Sequence, residues 1–239
     1  MNSKFLSLFP ASFRDFYKNL ILIVPPLVLF LFLFLFSNLS VIINSKLFSS
    51  LSLSIWLIAS LTISLVAIAF IFAGLIGLSK QAIKSKANLK DFIFYSKKFW
   101  FKNLIVIIFL LILYNLVRNA AHYGALFLGK AIGLLLNPAI LLFYFIYFVG
   151  LFGLIIFFTF SNFYLIVFNL TIKNSIKRSF LLVKKEYLFV LATILLFFLV
   201  NYLIDQFSLI NELASDLISY LLIPFVSLIF TRFVLFFGK

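Results

Sequence analysis

Asn115, Arg118, Asn119 and His122 stand at i, i+3, i+4 and i+7, which places two amides, a guanidinium and the chain's single imidazole on one helical face. Such a set suits an anion or a lipid headgroup. The plainer reading is the end of a membrane helix with a snorkelling arginine, because polar groups near span ends cost little. Asn201 and Asp205 make a second i, i+4 pair. The densest charge is elsewhere, in Lys173, Lys177, Arg178, Lys184 and Lys185. These cations suit anionic headgroups at a membrane surface.

Catalytic patterns are missing from the sequence. There is no H-E-x-x-H and no pair of histidines for a metal. Cys is absent, which excludes thiol chemistry, and no acid lies near His122 in sequence to complete a serine-type triad. No Gly-rich phosphate loop occurs. Catalytic, cofactor-binding and metal residues are therefore all predicted as none, and the chain is expected to be no enzyme.

Composition explains why. Of 239 residues, 65% are hydrophobic and 11% charged, with a mean hydropathy of +1.25. Soluble domains run at about 45–50% apolar and about 25% charged. This predicts an all-α polytopic membrane protein and excludes a soluble or disordered chain. The net charge of +14 reads as the positive-inside bias and attraction to anionic lipid, not as nucleic-acid binding.

Hydropathy predicts six transmembrane helices at about 20–37, 51–79, 102–118, 139–170, 187–204 and 217–237, in one transmembrane domain covering 1–239. Before the first, Phe9, Phe13, Phe16 and Leu20 recur at helical spacing while Arg14, Asp15 and Lys18 face elsewhere, which predicts a short surface helix. The polar stretch before the first span, with no small-x-small site after it, speaks against a cleaved signal peptide. Residues 120–137 carry small residues at every fourth position (Ala121, Ala125, Gly129, Gly133) and read as a re-entrant or interfacial helix. The basic segments are 80–102 and 171–186. Gly74/Gly77 and Gly150/Gly153 are spaced for close helix contact.

Cation distribution sets the expected topology. With the N-terminus inside, the inner segments hold three, seven, five and two cations, which is 17 of the 20. Lys46, Arg118 and Lys130 remain outside. Both termini are therefore expected in the cytoplasm of a multi-pass cell-membrane protein. A full seventh span at 120–137 would put the five cations of 171–186 outside.

Residues 51–117 and 139–205 suggest a two-fold internal repeat at an offset of 88. Phe92, Lys97, Phe101, Phe109 and Tyr114 then match Phe180, Lys185, Phe189, Phe197 and Tyr202. The register also sets Arg118 beside Gln206, so Arg118 and Asp205 are expected to meet at the outer face.

In the second basic segment, Ile172, Ile176, Phe180, Val183 and Tyr187 form an apolar stripe, which predicts a helix in the headgroup plane. The run SIKRSFLLVKKEY, Ser175 to Tyr187, resembles a segment of the membrane domain associated with glycerophosphodiester phosphodiesterases and of related six-helix prokaryotic membrane proteins. Glu186 stands where that family often has Gly or Asn. The resemblance implies a membrane module and not a hydrolase, since no segment here is long or polar enough to be the soluble phosphodiesterase domain. The function expected is a membrane scaffold or lipid-surface module, with a small-solute or lipid-handling transporter as the alternative.

Overall fold

The computed structural model describes residues 7–46, 50–131, 136–208 and 212–238. All regular structure among them is helical. In chain order the helices are α1 (Leu8–Lys18), a 3₁₀ turn (Leu20–Ile23), α2 (Val24–Lys46), α3 (Ser50–Lys84), α4 (Leu89–Ala131), α5 (Leu136–Phe158), α6 (Ser161–Val167), α7 (Ile172–Lys185), α8 (Tyr187–Ser208) and α9 (Glu212–Phe237).

The protein is a polytopic helical membrane protein. Five stretches are long and apolar enough to cross a bilayer: Ile55–Lys84, Leu89–Gly124, Phe143–Val167, Tyr187–Ile204 and Leu213–Phe237. A sixth is added if α1 and the apolar run Leu20–Phe36 count as one, though they meet at 91°. Ile58, Phe145, Leu188 and many other large apolar side chains are exposed. In lipid that exposure costs nothing, because hydrocarbon is as apolar as the side chains.

The orientation of α1 differs from expectation. Its buried residues are Leu8, Ser12 and Asp15, continued by Asn19 beyond the helix end, while Phe13 and Tyr17 are 63% and 73% exposed. Leu8, Ser12 and Asp15 therefore face the bundle with Phe9 and Phe16 packed at the edge of that face, while Arg14 and Lys18 stay exposed beside Phe13 and Tyr17. The physical reason is that Asp15 and Asn19 find their partners in the protein, whereas aromatic rings are equally at home in lipid.

The basic stretch 80–102 is helical almost throughout, divided only by a turn at 85–88. Asn88 begins α4 as one half of a capping box. The Asp91 amide donates to Asn88 Oδ1 at 3.0 Å, and the Asn88 amide donates to Asp91 Oδ2 at 3.1 Å. Two otherwise orphaned N–H groups are thereby satisfied.

Nothing breaks α4 at residue 120, where a separate re-entrant or interfacial segment is expected. The helix runs 43 residues to Ala131. At about 1.5 Å per residue it is about 64 Å long, roughly twice the hydrocarbon thickness, so it projects from the membrane. No proline lies within it, and its two isolated glycines, Gly124 and Gly129, do not end it. Ala121 is fully buried; the side chains of Ala125 and Gly129, and all of Gly133, lie outside the described residues.

Gly74 and Gly77 place α3 directly against α4. A Cβ on Gly77 would lie 2.0 Å from Tyr95 Cγ, and one on Gly74 2.2 Å from Ser96 Oγ. Gly150 is similarly close to Val117, but Gly153 has nothing within 4 Å. Asn103 ties the same pair of helices together, donating to the Ala69 carbonyl at 2.8 Å.

The long fourth span bends between α5 and α6. The Thr159 hydroxyl bonds the Ile155 carbonyl four residues back, a contact that bends helices. Asn169 takes a left-handed conformation, φ 53°, which Asn tolerates better than most residues, and the chain turns into α7. Thr171 caps that helix, its hydroxyl accepting from the Asn174 amide at 3.4 Å. Only Glu186 separates α7 from α8.

These helix ends do not follow an offset of 88. Lys84 and Val167 end α3 and α6, Asn88 and Thr171 cap the next helices, and Leu89 and Ile172 begin them. Every one of these pairs is 83 residues apart.

Candidate functional site

Three groupings of polar or charged side chains bear on function in this apolar bundle. The first is α7. Lys173, Lys177, Arg178, Lys184 and Lys185 are all exposed, and none forms an ion pair among the described residues. The face that anchors the helix is Ser175, Ser179, Leu182 and Val183. This stripe is rotated from the expected one, since Phe180 and Tyr187 are exposed while the two serines are buried. Small side chains allow the close approach. Ser179 Oγ donates to the Phe157 carbonyl at 2.7 Å, in the last turn of α5, where a helix leaves carbonyls without N–H partners. Phe180 stacks on Phe157 with centroids 4.9 Å apart. Phe180 and Leu181 thus sit exposed among cations, an arrangement in which the apolar side chains enter the interface and the lysines reach the headgroups.

The second place is one end of the bundle, where α1 meets α9. Arg232 Nη2 and Asp15 Oδ2 form an ion pair, and both residues are only 8% exposed. Beside it, Asn19 Nδ2 donates to the Asp15 carbonyl at 2.9 Å, and Asn19 Oδ1 accepts from the Ala87 amide at 2.8 Å. A polar cleft of about 450 Å³ opens here, lined by Lys18, Lys84 and Lys86 among others. The first, second and last basic segments therefore share this end of the molecule.

The third place lies within the bundle. A partly open cavity of about 410 Å³ is bordered by α3, α5, α6, α8 and α9, and no charged residue lines it. Most of its wall is apolar, with Phe72, Ile194, Phe197 and Phe230 prominent. Its polar residues are Thr159, Asn162, Asn201, Ser219 and Ser227. Thr159 is spent on the helix bend. Asn201 donates to the Phe197 carbonyl at 3.0 Å, and Ser227 shares a 2.9 Å bond with Ser79. Asn162 is different: its Oδ1 is buried with no hydrogen-bond partner among the described residues. Such an atom costs about 1–3 kcal/mol.

The predicted outward cluster on α4 shares one helix but converges on no pocket. Asn115 donates to its own helix at the Leu111 carbonyl, 2.9 Å away, and Arg118, Asn119 and His122 are exposed. The His122 ring lies edge-on to Phe143, with centroids 6.1 Å apart. The side chain of Asp205 lies outside the described residues, and with it the expected meeting with Arg118. Among the described residues no group of three His, Cys, Asp or Glu is arranged to hold a metal.

Two of these places escaped the sequence reading. A lone Arg inside an apolar run signals that a counter-charge must approach it, and Asp15 is one of only six acids in the sequence. Asn162 carries no comparable signal, being a single amide in a long apolar run. No protein family, curated protein or solved structure matches the chain.

Proposed function

We propose that this protein is a non-enzymatic membrane module that organises anionic lipid at its cytoplasmic face, with α7 as the contacting element. The observation that carries the reading is the exposure of all five cations of α7 on a helix whose opposite face is fixed to the bundle by Ser179 and Leu182. Each surface cation contributes about 1 kcal/mol on anionic lipid. The orientation follows the cation distribution: basic segments in the cytoplasm, with both termini beside them.

The resemblance of 175–187 to the membrane domain associated with glycerophosphodiester phosphodiesterases fits this reading. So does a relation between the two halves of the chain in the 83-residue register, where Lys90, Ile93, Ser96 and Lys102 match Lys173, Ile176, Ser179 and Lys185. In that register each half is a long helix, a short capped turn and a basic helix packed back through a serine. No cofactor and no nucleic acid belongs to this function.

The test reconstitutes the full chain in nanodiscs of mixed anionic and zwitterionic lipid and measures which lipid is enriched around the protein. Replacing Lys173, Lys177 and Lys184 by Glu is expected to abolish the preference for anionic over zwitterionic lipid, with the difference largest at low salt. An unchanged preference would leave these cations as topology signals alone. The second reading, a lipid-handling transporter, is favoured by the cavity beside the bend in the fourth span.

A further inference from the structure

We propose that the polar cleft between the end of α1 and the turn after α3 binds a phosphomonoester group, carried by a lipid such as phosphatidic acid or supplied as free phosphate. The proposal goes beyond the lipid contacts of α7, because no residue of that helix lines the cleft.

Charge selects the class. The cleft, of about 450 Å³, is lined by three lysines, Lys18, Lys84 and Lys86, and by a single acid, Asp15. Asp15 is already matched by Arg232, and theirs is the one ion pair among the described residues. Three exposed ammonium groups therefore share a concave site with no carboxylate left to answer them. Clefts lined by one sign of charge concentrate ions of the other sign. A phosphomonoester carries a charge of about −1.5 to −2 on its acceptor oxygens, which suits several point-like ammonium donors at once. A phosphodiester or a carboxylate brings a single charge and answers the same lysines less well. Ser85 adds an uncharged hydroxyl to the wall.

The fold holds these lysines together. Asn19 directly follows Lys18, and Ala87 directly follows Lys86. Asn19 Oδ1 accepts from the Ala87 amide at 2.8 Å, and Asn19 Nδ2 donates to the Asp15 carbonyl at 2.9 Å. Asn19 and Ala87 are both buried, so a buried bond between positions 68 residues apart keeps like charges on one cleft. Lysines that served only to mark the cytoplasmic side would have no need to converge. The depth fits as well. α1 meets the apolar run Leu20–Phe36 at 91°, so where that run crosses the bilayer α1 lies along its surface. Lys18, at the elbow, is then at headgroup level, within reach of phosphate on a lipid and of phosphate in solution.

The experiment has two arms, both on the full chain. In the first, native mass spectrometry in detergent counts lipids bound from an equimolar mixture of phosphatidic acid and phosphatidylglycerol with the same acyl chains. Both lipids are anionic, so the general attraction of α7 to anionic lipid largely cancels, and failure here is separable from failure of the α7 reading. Phosphatidic acid is expected to bind about five-fold more, the ratio that one further charge contact at a lipid surface gives. In the second arm, the chain in phosphatidylcholine nanodiscs is melted with inorganic phosphate or with sodium chloride of equal ionic strength, which holds screening constant. A preference for phosphatidic acid assigns the group to a lipid. A melting temperature raised by phosphate and not by chloride assigns it to solution. Lys18→Gln, Lys84→Gln and Lys86→Gln together should remove whichever effect is seen, and they alter only exposed side chains. Equal binding of the two lipids with no shift from phosphate would overturn the proposal on the unaltered chain alone. An effect that survives in the triple variant would overturn it also.

Discussion

Arg232, in the last span, is paired with Asp15 of the surface helix α1, 217 residues away in sequence. The pair closes the chain on itself. It explains why α1 turns Asp15 inward while Arg14 and Lys18 of the same helix stay exposed. Only Nη2 is engaged, and Arg232 Nε has no partner among the described residues. The carboxylate is thus the main compensation for a guanidinium in a largely apolar setting.

Removing one partner should therefore be costly. Asp15→Ala and Arg232→Ala are each expected to lower stability by about 3–5 kcal/mol, the usual cost of leaving a buried charge alone. The double variant Asp15→Leu with Arg232→Met should be less damaging than either single change, since it buries no charge. Thermal unfolding of the four proteins in detergent measures this. Additive losses would mean that the two side chains do not interact.

The sequence revealed the class of fold because composition and run length are averages over many residues, and no single contact can overturn them. Helix identity was equally legible: the 3.6-residue pattern of 172–185 and the Asn88–Asp91 spacing are local. Side-chain direction was not. The stripe Phe9, Phe13, Phe16 and Leu20 is split, with Phe9 and Phe16 packed on the core and Phe13 and Leu20 exposed, because in lipid an apolar stripe sets no rotation and the partners of Asp15 and Asn19 decide it. The same holds for α7, where Ser175 and Ser179 are inside and Phe180 is out. Asn162 could not be read as part of a cavity, because the bend at Thr159 that places it depends on a backbone contact and carries no proline signature.

Close helix packing gives a second test. Gly77→Ala would force a Cβ to within 2.0 Å of the Tyr95 ring root, which cannot swing away as a chain end would. Overpacking of this kind costs about 1–3 kcal/mol. Gly153→Ala meets nothing within 4 Å and should be neutral or stabilising by up to about 1 kcal/mol through helix propensity. If both variants melt at the wild-type temperature in detergent, α3 and α4 are not in contact at Gly77.

The two capped turns should respond unequally. Asn88→Ala removes the side-chain acceptor of the Asp91 amide, a bond of 3.0 Å, while the backbone N–H at 88 can still donate to the Asp91 carboxylate, so a loss of about 1 kcal/mol is expected. Thr171→Ala removes a single bond of 3.4 Å, and should cost about 0.5 kcal/mol, at the low end for a cap. Hydrogen exchange at the first turns of α4 and α7 resolves the two effects separately. Faster exchange after Thr171→Ala than after Asn88→Ala would contradict the ranking.

The last prediction concerns sidedness. Asp15 touches Arg232, and Asn19 accepts from the Ala87 amide, so the N-terminal helix, the turn at 85–88 and the end of α9 must lie on one side of the membrane. Cation bias then says which side: the segments around these contacts and α7 hold 17 of the 20 basic residues, and such segments stay in the cytoplasm. Reporter fusions at residues 45, 90, 125, 178, 210 and 239 are expected to read out, in, out, in, out, in. The site at 125 is the most informative, because α4 continues past the third apolar run and should carry that residue through the outer surface. A fusion at 90 reading opposite to one at 239 would contradict the Asp15–Arg232 and Asn19–Ala87 contacts together. Agreement between those two with both outside would instead keep the packing and overturn the charge rule for this chain. An external reading at 178 would remove α7 from the anionic leaflet and with it the proposed lipid role.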